Sequence, residues 1–173
     1  MDIPGNKKVV CITGSVWTGS DSAPRHLLAK DGFVRPTWFT TGRRLTDAHY
    51  QQTTATRFHM ANADNEVLAF IEYGGSFVGI MLDDFDTAMA AAERGVLIVA
   101  PPEFAARVAA RIPKAIVFSL KGVDMDLSEH LDDAKKSGQL HRVDVDALAP
   151  GAWEEVHRFM AGVIGLPVKT DPF

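Results

Sequence analysis

The stretch that decides the fold is Lys8-Val9-Val10-Cys11-Ile12-Thr13 followed by Gly14-Ser15-Val16-Trp17-Thr18-Gly19-Ser20-Asp21-Ser22. Its first half is an apolar, β-branched run of the kind that forms a strand buried on both faces. Its second half carries two glycines at the separation of the phosphate-binding pattern G-x-x-x-x-G-K-[S/T]. In that pattern backbone N–H groups wrap the phosphates, the lysine reaches the outer phosphates and the hydroxyl holds magnesium. Here Ser20 stands in the lysine position and Asp21 in that of the magnesium hydroxyl. The amide cradle is therefore expected to persist while its charges are changed. Asp21 or Ser22 can N-cap a following helix that has Pro24 in its first turn and ends at Gly32.

Strand-like and helix-like segments alternate outward from this stretch, which predicts an α/β fold with a mostly parallel sheet. Thr37–Thr40 reads as extended, and the polar stretch Thr41–Thr54 as a loop segment outside the core. A short helix near Thr56–Ala63 leads to two strands, Val67–Tyr73 and Ser76–Met81, joined by Gly74-Gly75 as a hairpin. A helix capped by Asp83 or Asp84 is expected to run to Arg94 and stop at Gly95. Strands follow at Val96–Ala100, Ala115–Leu120 and Leu140–Val145, alternating with helices at Phe104–Arg111, Leu127–Lys136 and about Trp153–Ile164. The last helix places Trp153, Val156, Phe159, Met160 and Val163 on one face, a pattern expected of core contacts.

At 173 residues and 46% apolar content, the chain is long enough for one well-buried core and short for two. One domain is expected, its core at about 7–36 and 82–166 and an insert at about 37–81. The net charge of -4 argues against nucleic acid as a partner, because binding its backbone requires a clustered basic surplus. Cys11 is the sole cysteine, so neither a disulfide framework nor a cysteine metal cluster is expected. The absence of an apolar leader or membrane-length run predicts no membrane partner and a cytoplasmic protein. The histidines at 26, 49, 59, 130, 141 and 157 show no metal-ligand spacing. Asp83, Asp84 and Asp86 read as charge complementing a helix dipole, not as a metal site.

The order of elements resembles the guanylate kinase family of P-loop proteins and its relative, ribose 1,5-bisphosphate phosphokinase. The likeness rests on Gly19-Ser20-Asp21-Ser22, Phe39-Thr40-Thr41-Gly42-Arg43-Arg44, Tyr50, Phe58, Val67-Leu68-Ala69-Phe70 and Gly75-Ser76-Phe77-Val78-Gly79. It extends through Ile116-Val117-Phe118 and Arg142-Val143-Asp144-Val145. The resemblance implies a P-loop NTPase fold, a parallel sheet flanked by helices with a small substrate-binding insert, together with nucleotide binding, transferase chemistry and homodimers. It assigns Gly14, Trp17, Thr18, Gly19, Ser20, Asp21 and Ser22 to the phosphate loop. Thr40, Thr41, Arg43, Arg44, His49, Tyr50, Ala69, Phe77 and Gly79 become the substrate-binding candidates.

The departures bear on activity. The family's guanine-reading glutamate would fall on Ala69, and its strand-end acids on Val99 and Pro101. Burying the guanine N–H donors without an acceptor costs about 1–3 kcal/mol each. The second phosphate-binding tyrosine is replaced around Phe77-Val78. Between Leu120 and His141, where the family has an arginine-bearing lid, one expected helix fills a shortened connection. Phosphoryl transfer depends on positioned cations, whose individual effects can be on the order of 10³–10⁵ in rate. The expectation is a pseudokinase-like binder of a small phosphorylated or anionic ligand, either a nucleotide or a sugar phosphate, with catalytic residues unassigned. One alternative is a working kinase that uses ATP and magnesium and borrows a cation from Lys121, Arg25 or another subunit. Another is a non-enzymatic protein-interaction module.

Overall fold

The computed structural model describes residues 3–14, 31–42, 50–121, 128–144 and 151–166. The core is a five-stranded sheet, ordered β2-β7-β1-β8-β9 with all neighbours parallel. Its strands are β1 (Lys8–Gly14), β2 (Phe33–Val34), β7 (Gly95–Val99), β8 (Ile116–Lys121) and β9 (Leu140–Asp144). After its first residue β1 is buried throughout, because both sheet faces are covered. Val9, Cys11, Val96, Ile98 and Val117 pack on one side with α3 (Pro102–Arg111) and α4 (Ser128–Lys136). Val10, Ile12, Leu97, Phe118 and Leu120 face α5 (Ala152–Ile164), which contributes Val156, Met160 and Ile164.

Residues 38–81 carry a second sheet, ordered β4-β3-β6-β5. It comprises β3 (Trp38–Thr40), β4 (Tyr50–Gln52), β5 (Val67–Tyr73) and β6 (Ser76–Met81). Helix α1 (Ala55–Ala63) covers one face through Phe58, which stacks on Phe77 at 4.5 Å and also meets Phe39 and Phe70. The opposite face joins the main core. The hairpin turn has Gly74 at φ +58 and Gly75 at φ +81, the paired positive angles of a type I′ turn.

An outer strand such as β5 leaves backbone carbonyls without sheet partners. Two arginines one turn apart on α3 satisfy several of them. Arg107 donates to the Phe70 carbonyl, with its guanidinium 5.2 Å from the Phe70 ring centroid. Arg111 donates to the Val67 and Leu68 carbonyls and, at 3.0 Å, to Asn65 Oδ1. The register shift between Val67 and Ala69 accompanies this arrangement. β5 is thereby tied to α3 at Val67, Leu68 and Phe70.

Several boundaries differ from the sequence expectation. The stretch Thr41–Thr54 contains β4, paired in parallel with β3, because Tyr50 packs against the core despite its polar neighbours. The two-residue β2 also escapes sequence reading, its pairing with β7 being a tertiary contact. Helix α2 (Leu82–Ala91) stops short of Arg94. Gly95 then opens β7 rather than ending the helix: a Cβ there would overlap the Lys8 carbonyl across the ladder. The cap of α2 is Met81, without a side-chain hydrogen bond; Asp83 and Asp84 lie in the first turn, where they complement the dipole. Pro102 opens α3, two residues before the expected start. Phe159 is 44% exposed, outside the buried stripe of α5. The helix expected before Gly32, and the start of α4 at Leu127, lie outside the described residues.

Candidate ligand site at the carboxyl edge of the sheet

From β1 the chain crosses toward β2, whereas β8 leads the other way to β9. The carboxyl ends of β1 and β8 thus flank the switch point, where open α/β sheets take their ligands. Gly14 ends β1 at φ +135, so close to β8 that a Cβ would overlap the Leu120 carbonyl. Glycine is required there by space as well as by conformation. Just before it, Thr13 is fully buried, and its Oγ1 has no hydrogen-bond partner among the described residues. Thr13 pairs in register with Ser119, and Ser119 with Arg142. Neighbours in register share a face, so two buried hydroxyl residues and an exposed arginine form a polar row across the sheet end.

The end of β7 lacks a carboxylate. Val99 and Pro101 are half-buried and Ala100 is buried, with its N–H donating to the Ile12 carbonyl at 3.0 Å. Pro101 is the N-cap of α3. The acid in the first turn of α3, Glu103, pairs instead with Arg107 at 3.1 Å on an exposed surface. Of the phosphate-loop candidates, Gly14 is described; Trp17, Thr18, Gly19, Ser20, Asp21 and Ser22 lie outside the described residues, as do Arg43, Arg44 and His49.

The remaining candidates divide between the two faces of the second sheet. Trp38 pairs with Tyr50 and Ala69 with Ile80; the β3–β6 register, continued one residue beyond Phe39–Gly79, sets Trp38 opposite Ile80. Tyr50, Trp38, Ile80 and Ala69 therefore form one row on the core-facing side. Thr40 lies in the next row, between Gln52 and Val78. Phe77 belongs to the opposite face, stacked on Phe58. Gly79 permits the close approach of β6 to β5, since a Cβ would overlap the Ala69 carbonyl and come within 2.9 Å of Phe70.

Thr40 and Thr41 build a corner before the segment 43–49. The Gly42 N–H donates to Thr40 Oγ1 at 3.1 Å, and the Phe77 N–H to Thr41 Oγ1 at 2.9 Å. Both hydroxyls accept from the backbone, and Thr40 is 3% exposed. Their described contacts are structural.

Sequence reading missed Thr13, Ser119, Trp38 and Phe104. The only signal for Thr13 was a hydroxyl at the end of an otherwise apolar strand. Trp38 and Phe104 come together from distant segments, their rings 4.5 Å apart. Away from this edge, burial pushes the Cys11 thiol up to about 12, which keeps it neutral. Desolvation, followed by the charge of Asp83, raises the Asp84 carboxyl. No histidine, cysteine and carboxylate cluster suited to a metal occurs among the described residues, nor does any described helix have the length and apolarity to cross a membrane.

No protein-family model matches the chain, and no curated protein matches it. Among solved structures it is similar to the guanylate kinase from Anaplasma phagocytophilum, with a TM-score of 0.62 and 11% identity over 94% of this chain and 87% of that one. At that identity the likeness is one of architecture: this chain has a guanylate kinase-like α/β fold of the P-loop NTPase type, with helices flanking a five-stranded parallel sheet.

Proposed function

We propose that the protein binds a small phosphorylated or otherwise anionic ligand at the carboxyl edge of the parallel sheet and has lost ATP-dependent phosphoryl transfer. The observation that carries this reading is the end of β1. Thr13 presents a buried hydroxyl with no partner among the described residues immediately before Gly14, at the switch point of the sheet. Such a hydroxyl is costly unless something completes its hydrogen bonding. The glycine spacing from Gly14 to Gly19 is that of a phosphate-binding pattern, whose backbone N–H groups would supply further donors to an oxyanion.

The residues do not fit magnesium-dependent transfer from ATP. Ser20 and Asp21 replace the lysine and the hydroxyl of the phosphate-loop pattern, and the end of β7 offers Val99, Ala100 and Pro101. Asp21 would also add negative charge beside bound phosphates. The replacement of the lysine and hydroxyl positions by Ser20 and Asp21 supports binding without turnover. Calorimetry with ribose 5-phosphate and with nucleoside monophosphates, alongside an ADP-release assay with magnesium-ATP, tests the proposal. Binding of a monophosphate without ADP formation is expected; stoichiometric ADP release coupled to a phosphorylated acceptor would overturn it.

A further inference from the structure

We infer that a cavity at the amino edge of the parallel sheet, lined by Lys7, Lys8 and Lys114, binds a small multivalent anion, an oligophosphate or a polycarboxylate. It lies at the opposite end of β1 from Thr13 and Gly14 and shares no residue with them, so the inference stands apart from the function proposed above.

Two distant segments build the cavity. Lys8 opens β1 and is its one exposed residue. Because β8 runs parallel to β1, the amino ends of the two strands lie together, and the register followed back from Val10–Ile116 leads to Lys8 and Lys114. The Ala115 N–H donates to the Ile112 carbonyl at 2.9 Å, a turn that sets Lys114 exposed at the rim of the sheet. On the other side, the Lys7 N–H donates to the Pro4 carbonyl at 2.9 Å, turning the chain through Gly5 and Asn6. Ile3 packs against the main buried cluster, which anchors this wall of the cavity.

The charges in the cavity are all of one sign. The ammonium of Lys7 is held in place by donating to the Met89 carbonyl at 2.7 Å, in the last turn of α2, and it keeps two further N–H donors. Among the described residues none of the three lysines forms an ion pair, and no carboxylate lines the cavity. The chain as a whole has 22 acidic against 18 basic residues, so composition alone does not account for a purely cationic concavity. Like charges placed side by side across neighbouring strands repel one another. A bound anion replaces that repulsion with attraction, and the apolar walls from Ile3, Pro4 and Val9 strengthen it by focusing the field. The cavity measures about 330 Å³, at the small end of the range for ligand pockets, which favours a compact ion over a polymer.

Calorimetry with tripolyphosphate and with citrate in about 0.15 M KCl, where charges beyond about 8 Å are screened, tests the inference. At least one probe is expected to bind wild type, with affinity falling about ten-fold or more in Lys8→Ala and in Lys114→Ala. Lys135→Ala, which removes an exposed lysine of α4, should bind as wild type does. The tighter of the two probes identifies the oligophosphate or the polycarboxylate class. The same probe should slow acetylation of Lys8 and Lys114 but not of Lys135, a readout on the wild-type chain that decides the matter should a variant fail to fold. Binding of neither probe would overturn the inference, as would equal weakening by Lys135→Ala, which marks a general charge effect. A loss confined to Thr13→Val would assign the anion to the carboxyl edge and overturn the inference while supporting the proposed function.

Discussion

Replacing Thr13 with valine should stabilise the ligand-free protein. The substitution keeps the β-branched shape that suits a strand and exchanges only the hydroxyl for a methyl. At most buried threonines this is unfavourable, because a hydrogen bond is lost. At Thr13 the residue is 0% exposed and Oγ1 has no partner among the described residues, so no such bond offsets its desolvation. Removing an unsatisfied buried hydroxyl should contribute about 1–2 kcal/mol. For a chain of this length each kcal/mol moves the melting temperature by about 2–4 °C, giving a rise of roughly 2–8 °C. Urea melts read at constant m would measure the gain without confusion from a changed denatured state. Binding of ribose 5-phosphate should weaken about ten-fold, equivalent to about 1.4 kcal/mol, and saturating ligand should narrow the difference in stability. A fall in the urea midpoint would refute the reasoning, because it would mean the hydroxyl is bonded in the free protein.

Arg111→Met should destabilise by about 1.5–3 kcal/mol, since it leaves the Val67 and Leu68 carbonyls without their charged donor; chemical denaturation measures the loss, and increased amide exchange along β5 would localise it. Gly79→Ala should cost about 1–3 kcal/mol or prevent folding, because the added methyl meets the β5 backbone; an unchanged midpoint would refute the close approach. The Cys11 thiol, with its pKa raised from 9.0 to about 12, should resist alkylation at pH 8 until the protein is unfolded. The same shift fixes a pH dependence. Below pH 9 both states keep the thiol proton and its contribution to stability is fully present; as pH rises from 9 toward 12 the unfolded state ionises first, and stability falls. Cys11→Ala should flatten that alkaline slope.

The sequence by itself determined the alternation of strands and helices and the buried character of β1. It also determined the Gly74-Gly75 hairpin, because periodicity and turn chemistry act over a few neighbouring residues. The residue types at Ser20, Asp21, Val99 and Pro101 were equally legible. Tertiary structure alone decided what depended on partners far apart in the chain. Tyr50–Gln52 became a strand only because Trp38–Thr40 lay beside it, and Gly95 opened a strand because Lys8 crossed close to it. Thr41 accepted a hydrogen bond from a backbone N–H on β6, and Phe104 met Trp38 across a gap of dozens of residues. Local propensity carries no information about which distant side chain will fill a given space. That choice follows from close packing, in which a position's role is set by whatever surface the fold brings against it.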